Sequence, residues 1–127
     1  MVLISRAANF LIMNKRFLLS GSRAVNMSGP VAEFVNTKIS SDTVVIFSKS
    51  YCPYCRMAKE VFDKLKLKYT VIELDERDDG GEVQDVLGEM TGARSVPRVF
   101  LKGKFIGGGT EVKDLYGKGE LQKMIAA

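Results

Sequence analysis

The chain has 127 residues, the length of one domain, and its composition is that of an ordinary globular protein. Its 19 basic and 15 acidic residues give a formal net charge of +4, and the four basic residues that precede Glu33 account for all of it. The remaining charges cancel, so we expect neither a nucleic-acid partner nor a membrane partner. The chain has no histidine, which excludes mechanisms that need an imidazole base.

Residues 1–29 combine basic, serine and small residues with no acidic residue, a composition typical of organelle transit peptides. We predict a disordered targeting segment with a mitochondrial address; a disordered or cloned tail is the alternative. A second start at Met27 would give a cytosolic form without the extension, which is a hypothesis. The folded domain is predicted to cover residues 30–127.

Hydrophobic periodicity predicts the first elements of this domain. Apolar residues at helical spacing after Pro30 predict a helix of about ten residues, and the β-branched and aromatic run 43–47 predicts a strand buried on both faces. A second helix is predicted to start at the cysteine motif, with Pro53 at its first position, because apolar positions from Cys55 to Leu65 follow a 3.6-residue period. Residues 69–74 are the next predicted strand, and a strand-helix-strand unit of this length implies parallel strands.

The second half of the chain completes a sheet. An exposed acidic loop over residues 75–79 and two glycines precede a third helix that ends near Gly92. Residues 99–101 and 105–106 predict an antiparallel hairpin around residues 102–104, and one or two helices close the chain. The predicted fold class is therefore α/β, with a four-stranded mixed sheet and helices on both faces.

Both cysteines lie in one motif, Cys52-Pro53-Tyr54-Cys55, at the start of the second helix. The free N–H groups and dipole of a helix N-terminus stabilise an anion, so Cys52 is expected to form the thiolate and to be a good leaving group in disulfide exchange. Cys55 lies further into the helix and is expected to be more buried, to hold its proton more tightly and to act as the resolving thiol. Inert core cysteines and a zinc site are the alternatives. Pro53 and Tyr54 do not suit a core, and one pair supplies only two of the four ligands of a structural zinc site.

The sequence resembles the dithiol class of the glutaredoxin family from about Val31 to the C-terminus. The resemblance is carried by three segments in order: Lys49-Ser50-Tyr51-Cys52-Pro53-Tyr54-Cys55, Ser95-Val96-Pro97 and Ile106-Gly107-Gly108. It implies a thioredoxin fold in which Pro97 follows a cis peptide bond and lies against the cysteine pair.

The resemblance also implies a groove for glutathione as a co-substrate. In that groove the backbone of Val96 would pair with the cysteinyl part, Lys49 and Arg94 would lie near the glycyl carboxylate, and Thr110 and Glu111 would hold the γ-glutamyl end. Arg98, by contrast, is interpreted as a solvated loop charge. The implied glutathione-binding residues are Lys49, Tyr54, Arg94, Val96, Pro97, Gly108, Thr110 and Glu111.

The activity implied is that of a glutathione-dependent disulfide oxidoreductase. It would reduce protein disulfides with Cys52 and Cys55, and protein-glutathione mixed disulfides with Cys52 alone. Its partners would be glutathione and glutathionylated or disulfide-bonded proteins; it would act as a monomer, and no metal is expected. Two alternatives stay open: a thioredoxin-like reductase recharged by a flavoprotein, and a dimeric iron-sulfur cluster carrier that uses Cys52 and glutathione as ligands.

Overall fold

Residues 24–127 are the part of the chain that the structure, a computed structural model, describes. Residues 1–23 of the predicted targeting segment lie outside the described residues. The elements are α1 (Pro30–Ile39), β1 (Val44–Ser48), α2 (Pro53–Lys64), β2 (Thr70–Glu73), a 3-10 helix (Leu74–Glu76), α3 (Gly80–Thr91), β3 (Arg98–Leu101), β4 (Lys104–Gly107), α4 (Gly109–Gly117) and α5 (Glu120–Ala126). Val25 and Met27, which precede the predicted domain boundary, pack against the core.

The four strands form one mixed sheet in the order β2-β1-β3-β4. Strand β1 pairs parallel with β2 and antiparallel with β3, and β3 pairs antiparallel with β4. Every residue of β1 is buried, which confirms the prediction of a central strand covered on both faces. The parallel register places Ser48 opposite Glu73, so the loops that follow β1 and β2 leave the same edge of the sheet.

Two apolar layers cover the sheet, because successive side chains of a strand point to opposite faces. Val45 and Phe47 belong to a core cluster with residues of α1 and α3. Val44 and Ile46 belong to a second cluster with residues of α2, α4 and α5. The four-stranded mixed sheet with helices on both faces is therefore confirmed.

The start of one helix is confirmed and that of another differs from the sequence prediction. Helix α2 begins at the cysteine motif, with Pro53 in its first turn, where the missing N–H has no helical acceptor. Helix α3 begins at Gly80, which the sequence assigns to a loop. The backbone of Gly80 lies so close to Leu74 that an added Cβ would stand 2.1 Å from the Leu74 carbonyl oxygen, so glycine is used there for close approach.

The hairpin between β3 and β4 is confirmed. Lys102 and Gly103 form its two-residue turn with φ of 52° and 83°, the left-handed values that suit the twist of an antiparallel pair. Within residues 24–127 no helix is both long and apolar enough to cross a membrane.

Candidate functional site

The cysteine motif lies where β1 ends and α2 begins. Cys52 is the N-cap residue of α2; its carbonyl oxygen accepts from the Arg56 N–H at 3.1 Å. Its half-buried sulfur accepts the N–H of Cys55 at 3.3 Å. The sulfur thus takes the place of a capping oxygen, at the end of the helix where negative charge is stabilised.

Cys55 differs from Cys52 in its burial and in its hydrogen-bond partners. Its side chain is fully buried, and its sulfur receives the backbone N–H of Lys49 at 3.5 Å. Burial, followed by the hydrogen bond with Cys52, raises the pKa of the Cys55 thiol from 9.0 to about 11, although the Lys49 N–H and the Ser48 hydroxyl act in the opposite direction. Cys55 is therefore a protonated thiol at neutral pH, and the prediction that it is the more buried of the two cysteines is confirmed.

The segment before β3 forms one wall beside Cys52. The carbonyl oxygen of Val96 lies 3.8 Å from the Cys52 sulfur, and the Val96–Pro97 peptide bond is cis, as the resemblance implies. Pro97 is buried, and its carbonyl oxygen would stand 3.3 Å from a Cβ added to Gly108. A glycine at position 108 thus lets the turn after β4 approach the proline.

The N-terminus of α4 forms a second wall, next to Pro97. Glu111 folds back so that its Oε1 accepts the N–H of Gly108 at 2.7 Å, which caps the helix. A Cβ added to Gly109 would stand only 2.6 Å from the carbonyl oxygen of Tyr54, so α4 lies directly against the first turn of α2. Thr110 and Tyr54 are both exposed beside this contact. The predicted residues Tyr54, Gly108, Thr110 and Glu111 therefore lie around one junction.

The two predicted cations are held differently. Lys49 is half-buried in the loop before Cys52. The pKa of Asp75 is lowered chiefly by its hydrogen bonds from Ser50, and the charge of Lys49 adds a smaller effect in the same direction. The guanidinium of Arg94 points to α3, where its Nε donates to Asp85 at 2.8 Å and its Nη2 to the Gly81 carbonyl at 3.3 Å. In this state Arg94 is engaged by α3, and only Lys49 lies in the cysteine loop itself.

Arg98 is not the solvated loop charge that the sequence suggested. It opens strand β3, where it donates to the hydroxyls of Thr91 at 3.3 Å and Ser95 at 3.1 Å, and its guanidinium lies 4.9 Å from the ring centroid of Phe105. Burial lowers the pKa of Arg98. The side chain braces the segment that carries Val96, and its two hydroxyl partners precede it by seven and three residues along the chain.

The contact between Ser50 and Asp75 was also missed. Asp75 is exposed, as predicted, but its carboxylate accepts both donors of Ser50. The sequence did hold a signal. The two parallel strands end at Ser48 and Glu73, and Ser50 and Asp75 each follow a strand end by two positions.

No group of three or more cysteine or carboxylate side chains among residues 24–127 is arranged to hold a metal ion. The structure therefore defines a thioredoxin-fold protein with a dithiol pair: one sulfur half-exposed at a helix N-terminus, the other buried beside it.

Comparison with known proteins assigns the family. The model of the Glutaredoxin family matches residues 44–106. Glutaredoxin-C4 of Arabidopsis thaliana is 53% identical over 98 residues, covering 77% of this chain and 73% of the relative. Mitochondrial glutaredoxin-2 of Bos taurus is 45% identical over 98 residues, covering 77% of this chain and 62% of the relative.

A solved structure gives the same result. The crystal structure of a buckwheat glutaredoxin-glutathione complex is 40% identical to this chain, with a TM-score of 0.73, and the match covers 76% of this chain and 87% of that one. The chain belongs to the glutaredoxin family, and the thioredoxin fold implied by the resemblance is confirmed.

Proposed function

We propose that this chain is a glutathione-dependent thiol-disulfide oxidoreductase that reduces protein-glutathione mixed disulfides through Cys52 and protein disulfides through Cys52 and Cys55. The observation that carries the proposal is the unequal pair: a half-exposed sulfur at a helix N-terminus, 3.3 Å from the N–H of a fully buried second cysteine. The buckwheat relative that was crystallised with glutathione supports the choice of reductant.

The single-thiol route needs only Cys52. Its thiolate attacks the glutathione sulfur of a mixed disulfide, a Cys52-glutathione disulfide forms, and the substrate protein leaves as a thiolate that takes up a proton. A second glutathione thiolate then attacks the glutathione sulfur bound to Cys52. Glutathione disulfide is released and the Cys52 thiolate is regenerated, which the helix N-terminus favours as the leaving group.

The two-thiol route adds Cys55. Cys52 attacks a protein disulfide and forms a mixed disulfide with one substrate sulfur, while the other leaves as a thiolate. Cys55 then loses its proton and attacks the Cys52 sulfur, which releases the second substrate sulfur and leaves a Cys52–Cys55 disulfide. Burial raises the pKa of the Cys55 thiol, so its proton has to be removed for the attack, and we assign the substrate thiolate released in the first step as the acceptor of that proton. Two glutathione molecules reduce the Cys52–Cys55 disulfide.

We assign glutathione to the surface that these two walls form, as an extended peptide. The backbone of Val96 offers main-chain hydrogen bonds of the kind that add a strand to a sheet edge, and its carbonyl oxygen lies 3.8 Å from the Cys52 sulfur. The first-turn N–H groups of α4 and the Thr110 hydroxyl suit the γ-glutamyl carboxylate. Glu111 uses Oε1 for the helix cap, so Oε2 is the oxygen that we assign to the α-ammonium group.

At the other end, Lys49 is the cation that we assign to the glycyl carboxylate. Arg94 would reach it only after giving up its ion pair with Asp85 or by sharing its guanidinium between the two. Lys49→Ala is therefore expected to raise the KM for glutathione more than Arg94→Ala does. Equal or reversed effects would assign the carboxylate to Arg94.

The main test compares Cys52→Ser and Cys55→Ser in an assay coupled to glutathione reductase. Cys52→Ser should abolish both activities. Cys55→Ser should keep reduction of a protein-glutathione mixed disulfide and lose reduction of a protein disulfide. If Cys55→Ser loses both, the single-thiol route is wrong; if thioredoxin reductase recharges the protein and glutathione does not, glutathione dependence is wrong.

An iron-sulfur cluster shared by two chains would also use a half-exposed Cys52, so it is the competing function. Anaerobic purification in the presence of glutathione, followed by a visible spectrum and size-exclusion chromatography, separates the two. A colourless monomer supports the oxidoreductase, whereas a coloured dimer that bleaches in Cys52→Ser supports the cluster carrier.

A mitochondrial address is the localisation that we propose for the full chain, because the relative from Bos taurus is mitochondrial and residues 1–29 resemble a transit peptide in composition. Fusion of residues 1–29 to a fluorescent protein tests this directly. The matched control is a fluorescent-protein fusion of the chain that begins at Met27 and so lacks the first 26 residues; it should stay in the cytosol.

A further inference from the structure

Ser50 lies two residues before Cys52, and both of its hydrogen-bond donors go to one carboxylate. Its backbone N–H donates to Asp75 Oδ1 at 2.9 Å, and its hydroxyl donates to Asp75 Oδ2. Asp75 belongs to the 3-10 helix after β2, which is 25 residues further along the chain. A carboxylate that accepts two bonds from one residue fixes that residue in orientation as well as in position.

The backbone of the preceding residue, Lys49, contacts the two cysteines. The N–H of Lys49 donates to the Cys55 sulfur at 3.5 Å, and the carbonyl oxygen of Lys49 accepts the N–H of Cys52 at 3.1 Å. The peptide groups on the two sides of Lys49 are thus committed to the two cysteines, while Ser50 is committed to Asp75. Rotation of the loop at Ser50 would disturb both contacts of Lys49 together.

We propose that Asp75 is a positioning residue of the active site, acting through Ser50 to hold the loop that carries Lys49 and Cys52 in its binding conformation. The proposal deepens the proposed function, because the group that it positions most directly is the Lys49 side chain that we assign to the glycyl carboxylate of glutathione. Asp75 itself is not placed against the substrate.

Asp75 also lies close enough to Lys49 for their charges to interact, which offers a competing role as a simple charge shield. The two roles predict opposite results. If Asp75 positions the loop, its loss displaces Lys49 and raises the KM for glutathione. If Asp75 only shields Lys49, its loss strengthens the field at the glycyl carboxylate and lowers the KM.

The kinetic test uses Asp75→Asn, Ser50→Ala and Ser50→Thr, with Asp78→Asn as the control that removes an equal charge from the same exposed run. We expect Asp75→Asn and Ser50→Ala to raise the KM for glutathione about three- to tenfold, the range for loss of one partly exposed charge-assisted hydrogen bond, with little change in kcat. Ser50→Thr keeps the hydroxyl and should restore most of the loss. A lowered KM in Asp75→Asn, or an equal change in Asp78→Asn, would overturn the proposal.

A double-mutant comparison tests whether Asp75 acts through Ser50. If it does, Ser50→Ala/Asp75→Asn should be no worse than Asp75→Asn alone, because residues of one hydrogen-bond pair are not additive. If the double variant instead raises the KM by the product of the two single effects, Asp75 does not act through Ser50.

Amide hydrogen exchange gives a readout that does not depend on glutathione. In Asp75→Ala, the Ser50 and Cys52 amides should exchange at least about tenfold faster, while amides of β1 keep their protection. Unchanged exchange would refute the proposal even if the enzyme uses glutathione. A different result is also informative: amide exchange changes as expected while neither the wild type nor any variant uses glutathione. In that case the proposed function is wrong, and the role of Asp75 in positioning the loop stands.

Discussion

The reactivity of Cys55 can be tested in isolation, because Cys52→Ser leaves it as the single thiol of the chain. Burial is the largest cause of its raised pKa, so the pKa should stay above the ordinary 9.0 in this variant even without the Cys52 sulfur. If the pKa stays at the value of about 11 that Cys55 has beside Cys52, the thiolate fraction at pH 8 is about 90-fold smaller than for a thiol whose pKa is 9.0. The more basic thiolate is about eightfold more nucleophilic for a Brønsted slope of about 0.45, so the net loss in exchange rate is about tenfold.

The assay follows exchange with a small neutral disulfide between pH 7 and 11, on protein whose folding is checked by circular dichroism at each pH. At pH 8 the folded variant should react at least about tenfold more slowly than the same variant unfolded in urea, since full burial of the sulfur adds to the effect of its pKa. The rate should still be rising above pH 9. A pH profile with its midpoint at or below 9 would refute the assignment of Cys55 as a protonated resolving thiol.

Three further predictions concern stability. Glu111→Ala should cost about 1 kcal/mol in urea unfolding because it removes the cap of α4, whereas Glu111→Gln keeps an acceptor and should cost less. Gly107→Ala should cost about 1–3 kcal/mol, because φ is 130° and the new Cβ would stand 2.5 Å from Glu111 Cβ. The control is Gly117→Ala, which meets no atom within 4 Å and should not destabilise, because alanine has the higher helix propensity. Burial raises the pKa of Cys55 to about 11 and of Tyr69 to about 12, so the unfolded chain loses these protons first. Unfolding free energy should therefore fall as pH rises from about 9 to 12, and Cys55→Ser should flatten the first part of that fall; an unchanged slope would contradict the burial argument.

Local patterns were sufficient for the elements and for the chemistry of the cysteine motif. The run 43–47 had to be buried because it is β-branched and aromatic throughout, and its position before the motif placed Cys52 at a helix N-terminus. Pro53 begins α2 as its missing N–H indicates. Helix α3 begins earlier than the sequence indicates, at Gly80, where its backbone lies against Leu74.

The partners of the charged side chains were decided by tertiary structure alone. Sequence placed Arg94 at the ligand and Arg98 in solvent, yet Arg94 is paired with Asp85 and Arg98 is braced by two hydroxyls in the wall of the site. Long side chains have several reachable partners, and the choice among them depends on which segments the fold brings within about 3 Å.

The sequence by itself determined that a dithiol pair lies at a helix N-terminus of an α/β domain, because hydrophobic period, proline position and cysteine spacing are all local properties. Tertiary structure decided how unequal the two thiols are, since the burial of Cys55 depends on the sheet and helices packed around it. It also decided that the cysteine loop is tied to Asp75, because that contact requires two parallel strands to end side by side.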